Sequence, residues 1–283
     1  MLNYNGFISD KSSEYYQNQR IEGEIVDLFD QTANVVLNNQ FPTLLTIGSS
    51  VVLGSPNSLS FPMFDQIRLQ LQVGDRVELF EGRLFKHPKF HATLQVTLEE
   101  TLNPPWKIID TNRLADLKTK VNDWQTDEQP LSAVPFYQLL TKEIVAFQSA
   151  FLQDDWQEIQ TQIQRILGLG LGLTPSGDDF LTGILLVFCE KTNHTNRWQQ
   201  IITDEWYRTN RISQHQLYFA LSGRGKRSLL QVVQGIGESK GSDADFRQAM
   251  AQTFAIGSTS GHDLLWGVLT GFDLWNEKGE ERK

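Results

Sequence analysis

The chain has 283 residues, of which 40% are apolar and 11% aromatic, so it is long enough for two domains and can bury a core. Its 34 acidic residues outnumber the 25 Lys and Arg residues, which gives a net charge of −9. Proteins that bind duplex nucleic acid normally carry a basic face, so we expect no nucleic-acid partner. One cysteine cannot form an internal disulfide. The lack of a long apolar run and of a secretory signal predicts a cytoplasmic protein without membrane spans.

Residues from about 20 to 98 are rich in β-branched side chains that alternate with polar ones. The runs 67–73 and 93–98 show this alternation most clearly, and Gly74 and the segment 54–57 supply turn signals. The pattern predicts six to eight short strands in a small antiparallel sandwich or barrel.

Two consecutive prolines separate this half from the next. Pro104 and Pro105 cannot both lie inside a sheet or a helix, so the segment 103–105 is the predicted boundary. We therefore expect an α+β protein with a β-rich domain over 1–102 and a mostly helical domain over 106–283.

After the boundary, apolar residues recur at helical spacing. Helix starts are predicted at the acidic pair 154–155, at Ser213 and at Ser242, where Asp245 completes a capping box. We expect seven or eight helices in this half. Fifteen of the 21 glycines lie at or after Gly168, and glycine costs about 1 kcal/mol in a helix interior, so we expect them at helix ends and in turns.

The most informative segment is a glycine-rich run, 168–172, followed by the sequence TPSGDD over 174–179 and an apolar helix. Unpaired N–H groups and the helix dipole at such a start favour an anion. Asp178 and Asp179 would repel the anion unless a cation or a protonated group lies between these carboxylates and the anion. The alternative is a tight turn with an aspartate N-cap. On the anion-site hypothesis, a side chain at Gly177 should block the ligand without unfolding the protein.

A second copy of this motif lies near the C-terminus. Residues 258–267 align without gaps on 174–183, and both contain the pattern SGxDxLxG. This agreement predicts an internal repeat with two helix starts that face one cavity across a pseudo-twofold axis. The alternative is that both copies simply share one way of starting a buried helix.

The glycine run with LTPSGDDFLTG, the 212–223 segment and GSTSGHDLLWG, in that order, resemble the AllH-type subunit of the oxamate carbamoyltransferase complex. The resemblance covers roughly residues 110–275. It implies reversible carbamoyl transfer between oxamate and phosphate in the anaerobic use of allantoin. It also implies partner subunits, one of which resembles an acyl-CoA synthetase. No catalytic residue is carried over from the family.

The two copies and a basic loop supply the candidate site residues. Asp179 and Asp263 are expected to orient an amide, and Asp178 or His262 to carry a proton. The candidates for substrate binding are Thr174, Ser176, Gly177, Ser258, Ser260, Gly261, Arg224 and Arg227. The two arginines would offset the negative charges of the substrates, unless they are ordinary solvated residues at a helix junction.

No cofactor is required by these motifs, although Mg²⁺ on Asp178 and Asp179 is possible. His87 and His91 lack a third ligand nearby, so no metal site is predicted from them.

The resemblance implies a carbamoyltransferase subunit that acts on carbamoyl phosphate and oxamate, with oxalurate as substrate in reverse. Its expected partners are these small anions, or phosphate, and other subunits. Two alternatives remain: a non-catalytic anion-binding or scaffolding subunit, and a Mg²⁺-dependent enzyme that handles phosphate.

Overall fold

The computed structural model describes residues 2–16, 20–38, 43–52, 54–86, 89–102, 104–106, 108–127, 135–189 and 195–280. The chain divides into two compact units, residues 1–100 and 101–283. The first unit is a β-barrel and the second is helical, which confirms the predicted α+β fold with its β-rich part first.

Eight strands form the barrel of the first unit. They are β1 (Leu2–Ser9), β2 (Ile21–Leu28), β3 (Thr32–Leu37), β4 (Leu44–Gly48), β5 (Ser58–Ser60), β6 (Arg76–Phe80), β7 (Arg83–Lys86) and β8 (Phe90–Thr97). The barrel closes in the order β1-β5-β4-β3-β2-β6-β7-β8. The β1–β8 and β4–β5 pairs are parallel and the other pairs antiparallel, so the expectation of an antiparallel sheet holds only in part. Inward-facing residues such as Ile25, Val35 and Leu45 are fully buried.

The predicted strand over 67–73 is wrong. Residues Phe64–Arg68 form the short helix α2, and α1 covers Asp10–Tyr16. Ile67 and Leu71 are buried whereas Leu69 and Val73 are exposed. The buried residues of α2 are Phe64 and Ile67, three apart as on a helical face, and the helix ends at Arg68, before Leu71. Residues 93–97 do lie on a strand, β8.

Nine α-helices are described in the second unit, against the seven or eight expected. They are α3 (Thr111–Asp127), α4 (Pro135–Leu152), α5 (Trp156–Ile166), α6 (Ser176–Val187), α7 (Thr195–Asp204), α8 (Arg211–Leu221), α9 (Arg227–Gly237), α10 (Asp243–Phe254) and α11 (Ser260–Glu280). Across the described residues, none of the helices is long and apolar enough to cross a membrane.

Two of the three predicted helix starts are confirmed. Ser242 and Asp245 form the capping box of α10, and the carboxylate of Asp155 accepts from the N–H of Glu158 at the start of α5. The third prediction is wrong, because Asn210 caps α8 and Ser213 lies buried within that helix.

Helix α6 lies at the centre of the helical unit. All twelve of its residues are buried, including the acidic pair at its start. A helix that is buried on every side requires neighbours on every side, and α5, α8, α9 and α11 all contact it.

Candidate functional site

The two copies of the repeat begin α6 and α11, and these helices cross at equivalent glycines. A Cβ atom on Gly267 would lie 2.0 Å from the carbonyl oxygen of Phe180 and 3.0 Å from the Cα atom of Gly183. A Cβ atom on Gly183 would lie 2.2 Å from the carbonyl oxygen of Leu264. The backbones therefore touch, so the expectation that these glycines lie at helix ends and in turns is wrong here.

The motif glycines make a second close contact, each with the helix that precedes its own. A Cβ atom on Gly177 would lie 2.0 Å from the carbonyl oxygen of Ile166, and one on Gly261 would lie 2.0 Å from that of Thr253. Both glycines are needed for packing. The expectation that a side chain at Gly177 would block only a ligand is therefore corrected, because it would first collide with α5.

The two helix starts are joined by a hydrogen bond between hydroxyl groups. Thr174 Oγ1, before α6, lies 2.9 Å from Ser260 Oγ, the first residue of α11. The hydroxyl of Tyr137, on α4, lies 3.1 Å from both carboxylate oxygens of Asp263. We call Tyr137, Thr174, Asp179, Ser260 and Asp263 the polar centre. The structure thus brings residues of both copies together.

Asp179 has one bonded and one free oxygen. Its Oδ1 accepts from Nε2 of Gln216 at 2.7 Å, whereas its Oδ2 is buried and has no hydrogen-bond partner among the described residues. Burial raises the pKa of Asp179 to about 7; repulsion by Asp263 adds to this rise, and Gln216, Ser260 and Thr174 oppose it. The hydroxyl groups of Ser260 and Thr174 lie close enough to stabilise the charged form of Asp179, although neither is hydrogen-bonded to Oδ2. Near neutral pH, Asp179 can therefore both accept and donate a proton.

Asp263 has different hydrogen-bond partners from Asp179, its equivalent in the first copy. It is fully buried. Its carboxylate oxygens accept a hydrogen bond from the Tyr137 hydroxyl, and Nδ1 of His262 lies 3.2 Å from Oδ1. Burial, and then the charge of Asp263, raise the pKa of Tyr137 to about 12. Tyr137 therefore remains a neutral donor at any physiological pH.

His262 lies in an aromatic environment. Its ring stacks on that of Trp124 with 4.0 Å between centroids. Because Nδ1 faces a carboxylate, the hydrogen bond to Asp263 places a proton on Nδ1. Nε2 is buried and has no partner among the described residues.

Asp178 points away from the polar centre. Its Oδ1 accepts from the N–H of Gly168 at 2.8 Å, and its Oδ2 accepts from the hydroxyl of Thr209. Burial raises the pKa of Asp178, and these two donors oppose the rise. The carboxyl group ties the glycine loop to the segment before α8.

The glycine loop adopts conformations that require glycine. Gly168, Gly170 and Gly172 all have positive φ angles, of 75°, 127° and 97°. Gly170 also lies against the start of α6, since a Cβ atom there would be 2.5 Å from the backbone nitrogen of Ser176. The loop leaves Leu171 exposed.

Several backbone donors at the two helix starts are already used. The N–H of Gly177 donates to Leu169 and the N–H of Gly261 donates to Ile256. The N–H of Asp179 donates to Pro175. These three N–H groups are therefore not free to bind an anion, and an anion site at the helix starts stays a prediction.

The three cations of the basic loop, Arg224, Lys226 and Arg227, differ in their exposure. Arg224 is buried with its guanidinium 4.7 Å from the centroid of the Phe219 ring, and Arg227 is exposed. Lys226 is solvent-accessible, and desolvation by the surrounding protein lowers its pKa while the charge of Asp179 opposes this.

The remaining candidates are also placed by the structure. Ser176 is buried, with its hydroxyl 3.4 Å from that of Tyr137, and Ser258 is exposed in the turn before α11. His87 lies outside the described residues. No group of three or more His, Cys, Asp or Glu residues able to hold a metal occurs in the described parts of the chain.

A cleft of about 590 Å³ is lined in part by Gly168 and Leu169 of the glycine loop. Arg165 and Arg208 line it, and they pair with Glu143 at 3.3 Å and with Glu205 at 2.7 Å. Because each of these cations has a carboxylate partner, the cleft has no excess of positive charge to attract an anion.

Sequence reasoning missed Tyr137 and Gln216. Tyr137 precedes Asp263 by 126 residues and lies on another helix, and Gln216 follows Asp179 by 37. Tyr137 belongs to no motif, and Gln216 lies in the 212–223 segment without standing out from its neighbours there, so no local pattern singled out either residue.

Residues 166–272 match the family model of the oxamate carbamoyltransferase subunit AllH. The match begins at the last residue of α5 and ends within α11, so it contains both copies of the repeat. The segment is therefore of the AllH type, as its motifs predicted. No solved structure matches the chain.

Proposed function

We propose that this chain is a carbamoyltransferase subunit that acts on carbamoyl phosphate and oxamate, or on oxalurate and phosphate in reverse, at the polar centre. The observation that carries the proposal is the free, buried Oδ2 of Asp179 beside the hydrogen-bonded pair Thr174 and Ser260. The AllH match over both copies of the repeat supports the choice of reaction.

The reaction needs a base, and Asp179 fits that role. In the forward direction the nitrogen of oxamate attacks the carbamoyl carbon, the bond from that carbon to the phosphate oxygen breaks, and the nitrogen loses a proton. Oδ2 of Asp179 takes the proton. A pKa of about 7 is suited to a base at neutral pH.

Cations and hydroxyl groups bind the anionic parts of the substrates. Lys226 supplies a positive charge that interacts with Asp179, and Arg227, the next residue, is exposed. The Thr174 and Ser260 hydroxyls donate to phosphate or carboxylate oxygens. Asp263 keeps Tyr137 and His262 in place, and His262 is the second group able to carry a proton.

The test uses the full-length chain with carbamoyl phosphate and oxamate, and measures phosphate release. Asp179→Asn keeps the shape and removes the base, so we expect activity to fall by roughly a hundredfold or more. Asp116→Asn is the matched control, because Asp116 lies in a surface ion pair with Arg247. Activity should stay unchanged in the control.

The same assay separates the alternatives. Ligand binding without turnover by the isolated chain would favour the non-catalytic anion-binding or scaffolding subunit. Loss of activity in EDTA that Mg²⁺ restores would favour the metal-dependent enzyme. If neither carbamoyl phosphate nor oxamate raises the melting temperature or is turned over, the proposal is wrong.

A further inference from the structure

The side chain of Gln216 has only one orientation that satisfies its neighbours. Its Nε2 lies 2.7 Å from Oδ1 of Asp179 and 3.1 Å from Oγ1 of Thr182. The Thr182 hydroxyl donates its own proton to the carbonyl oxygen of Asp178 at 2.8 Å, so towards Gln216 it can only accept. Two acceptors on the same side require the amide nitrogen there, which settles the amide orientation.

This bond makes the two carboxylates of the repeat unequal. Asp179 and Asp263 occupy equivalent positions, but both oxygens of Asp263 are engaged, by Tyr137 and His262. In Asp179 the amide of Gln216 takes Oδ1 alone and leaves Oδ2 buried without a described partner. An unpaired buried oxygen is costly unless a ligand supplies a donor.

We propose that Gln216 is a positioning residue: by holding Oδ1 of Asp179 it directs Oδ2 to the N–H group of a carbamoyl or amide ligand. The proposal rests on the proposed function, since it names how that site recognises the nitrogen end of its substrate. It assigns ligand contact to Asp179 and a supporting role to Asp263.

The proposal has a consequence for the pH dependence of binding. Gln216, Ser260 and Thr174 lower the pKa of Asp179, whereas Asp263 raises it. The charge of Lys226 also interacts with Asp179. The charged form of Asp179 is the stronger acceptor for an N–H group at Oδ2. Loss of the Gln216 bond raises the pKa of Asp179, so binding of an amide ligand moves to higher pH.

The experiment compares the full-length chain with Gln216→Leu and Gln216→Met. The second variant keeps the length of the side chain, so it guards against a packing defect in the first. The infrared C=O band of protonated Asp179, identified by subtracting the spectrum of Asp179→Asn, is titrated without ligand. Oxamate affinity is measured by calorimetry over the same pH range.

We expect the band to persist to higher pH in both Gln216 variants. Oxamate affinity at pH 7 should fall roughly tenfold, the cost of one hydrogen bond to a charged group, and the loss should be smaller at high pH, where Asp179 is charged but no longer held by Gln216. Gln214→Leu is the matched control, since Gln214 lies on the same helix but donates to the carbonyl oxygens of Trp206 and Thr209. Its band and its affinity profile should match those of the unmodified chain.

The outcomes separate this proposal from the proposed function. If the band does not move in the Gln216 variants, Gln216 does not position Asp179 and the inference is wrong, whether or not oxamate binds. If the band moves but affinity falls equally at every pH, or Asp179→Asn binds oxamate normally, contact through Oδ2 is refuted. If the unmodified chain binds no oxamate while the band moves as expected, the proposed substrate fails and the positioning role stands.

Discussion

Gly183 and Gly267 occupy equivalent positions in the two copies of the repeat and face each other where α6 crosses α11. The Cβ position of Gly267 lies 3.0 Å from the Cα atom of Gly183, so neither residue can carry a side chain without moving a backbone. This contact explains why the SGxDxLxG pattern ends in glycine in both copies. It also brings the two helix starts close enough for Thr174 and Ser260 to bond.

The first prediction follows from this crossing. Gly267→Ala places a methyl group 2.0 Å from the carbonyl oxygen of Phe180, and the collision should lower the free energy of unfolding by about 1–3 kcal/mol or more. Urea unfolding measures the loss. Gly225→Ala is the control, because its added Cβ atom would meet only flexible leucine side chains, at 3.3 Å or more. Equal stability of the two variants would contradict the packing role.

The second prediction concerns the bond between the two helix starts. Thr174→Val and Ser260→Ala each remove one partner of the 2.9 Å contact. A double-mutant cycle in urea should show a coupling of about 1 kcal/mol, the net worth of one hydrogen bond. Thr119→Val with Ser260→Ala is the control pair, since the Thr119 hydroxyl bonds its own helix at Ala115. A coupling no larger than that of the control pair would mean that the bond is absent in solution.

The sequence was sufficient for the order of the two parts and for the repeat, because both depend on local patterns. It failed at 67–73, because the alternation there hid a short helix, α2, which buries Phe64 and Ile67 and ends at Arg68. It also failed at glycines such as Gly183, since a glycine that allows two helices to touch cannot be distinguished by sequence from one that ends a helix.

The polar centre was only half predictable. Asp179, Asp263, Thr174 and Ser260 belong to the motifs, so their pairing followed from the repeat. The difference between the two aspartates did not, because it depends on Gln216 and other residues that reach the site from separate helices. Likewise, the hydrogen bonds of Asp178 with Gly168 and Thr209 are tertiary contacts, which the motif alone does not predict.

The third prediction concerns the domain boundary, which stays a prediction. Leu102 and Trp106 are buried in the core of the helical unit, and Leu102 donates its N–H to Gly223. Limited proteolysis should therefore cut before Leu102, near residue 100, within the interval of about 100–125 that the proline pair predicts. Mass spectrometry identifies the fragment. Cleavage within the barrel strands, with the segment around residue 100 intact, would contradict two separately folded domains.

The fourth prediction concerns stability as a function of pH. Burial raises the pKa of Asp179 from 3.8 to about 7, so the folded chain holds a proton that the unfolded chain releases. Between about pH 4 and 7 this group makes folding less favourable as the pH rises, and above pH 7 the full cost remains. Asp179→Asn removes the cost and keeps an oxygen that can accept from Gln216. Its melting temperature should therefore exceed that of the unmodified chain at pH 8 and approach it at pH 4.

Asp116→Asn, at an exposed position, should show no such pH-dependent difference. A parallel profile for Asp179→Asn and the unmodified chain would show that Asp179 is charged and well solvated, and would remove the physical basis for its role as a base.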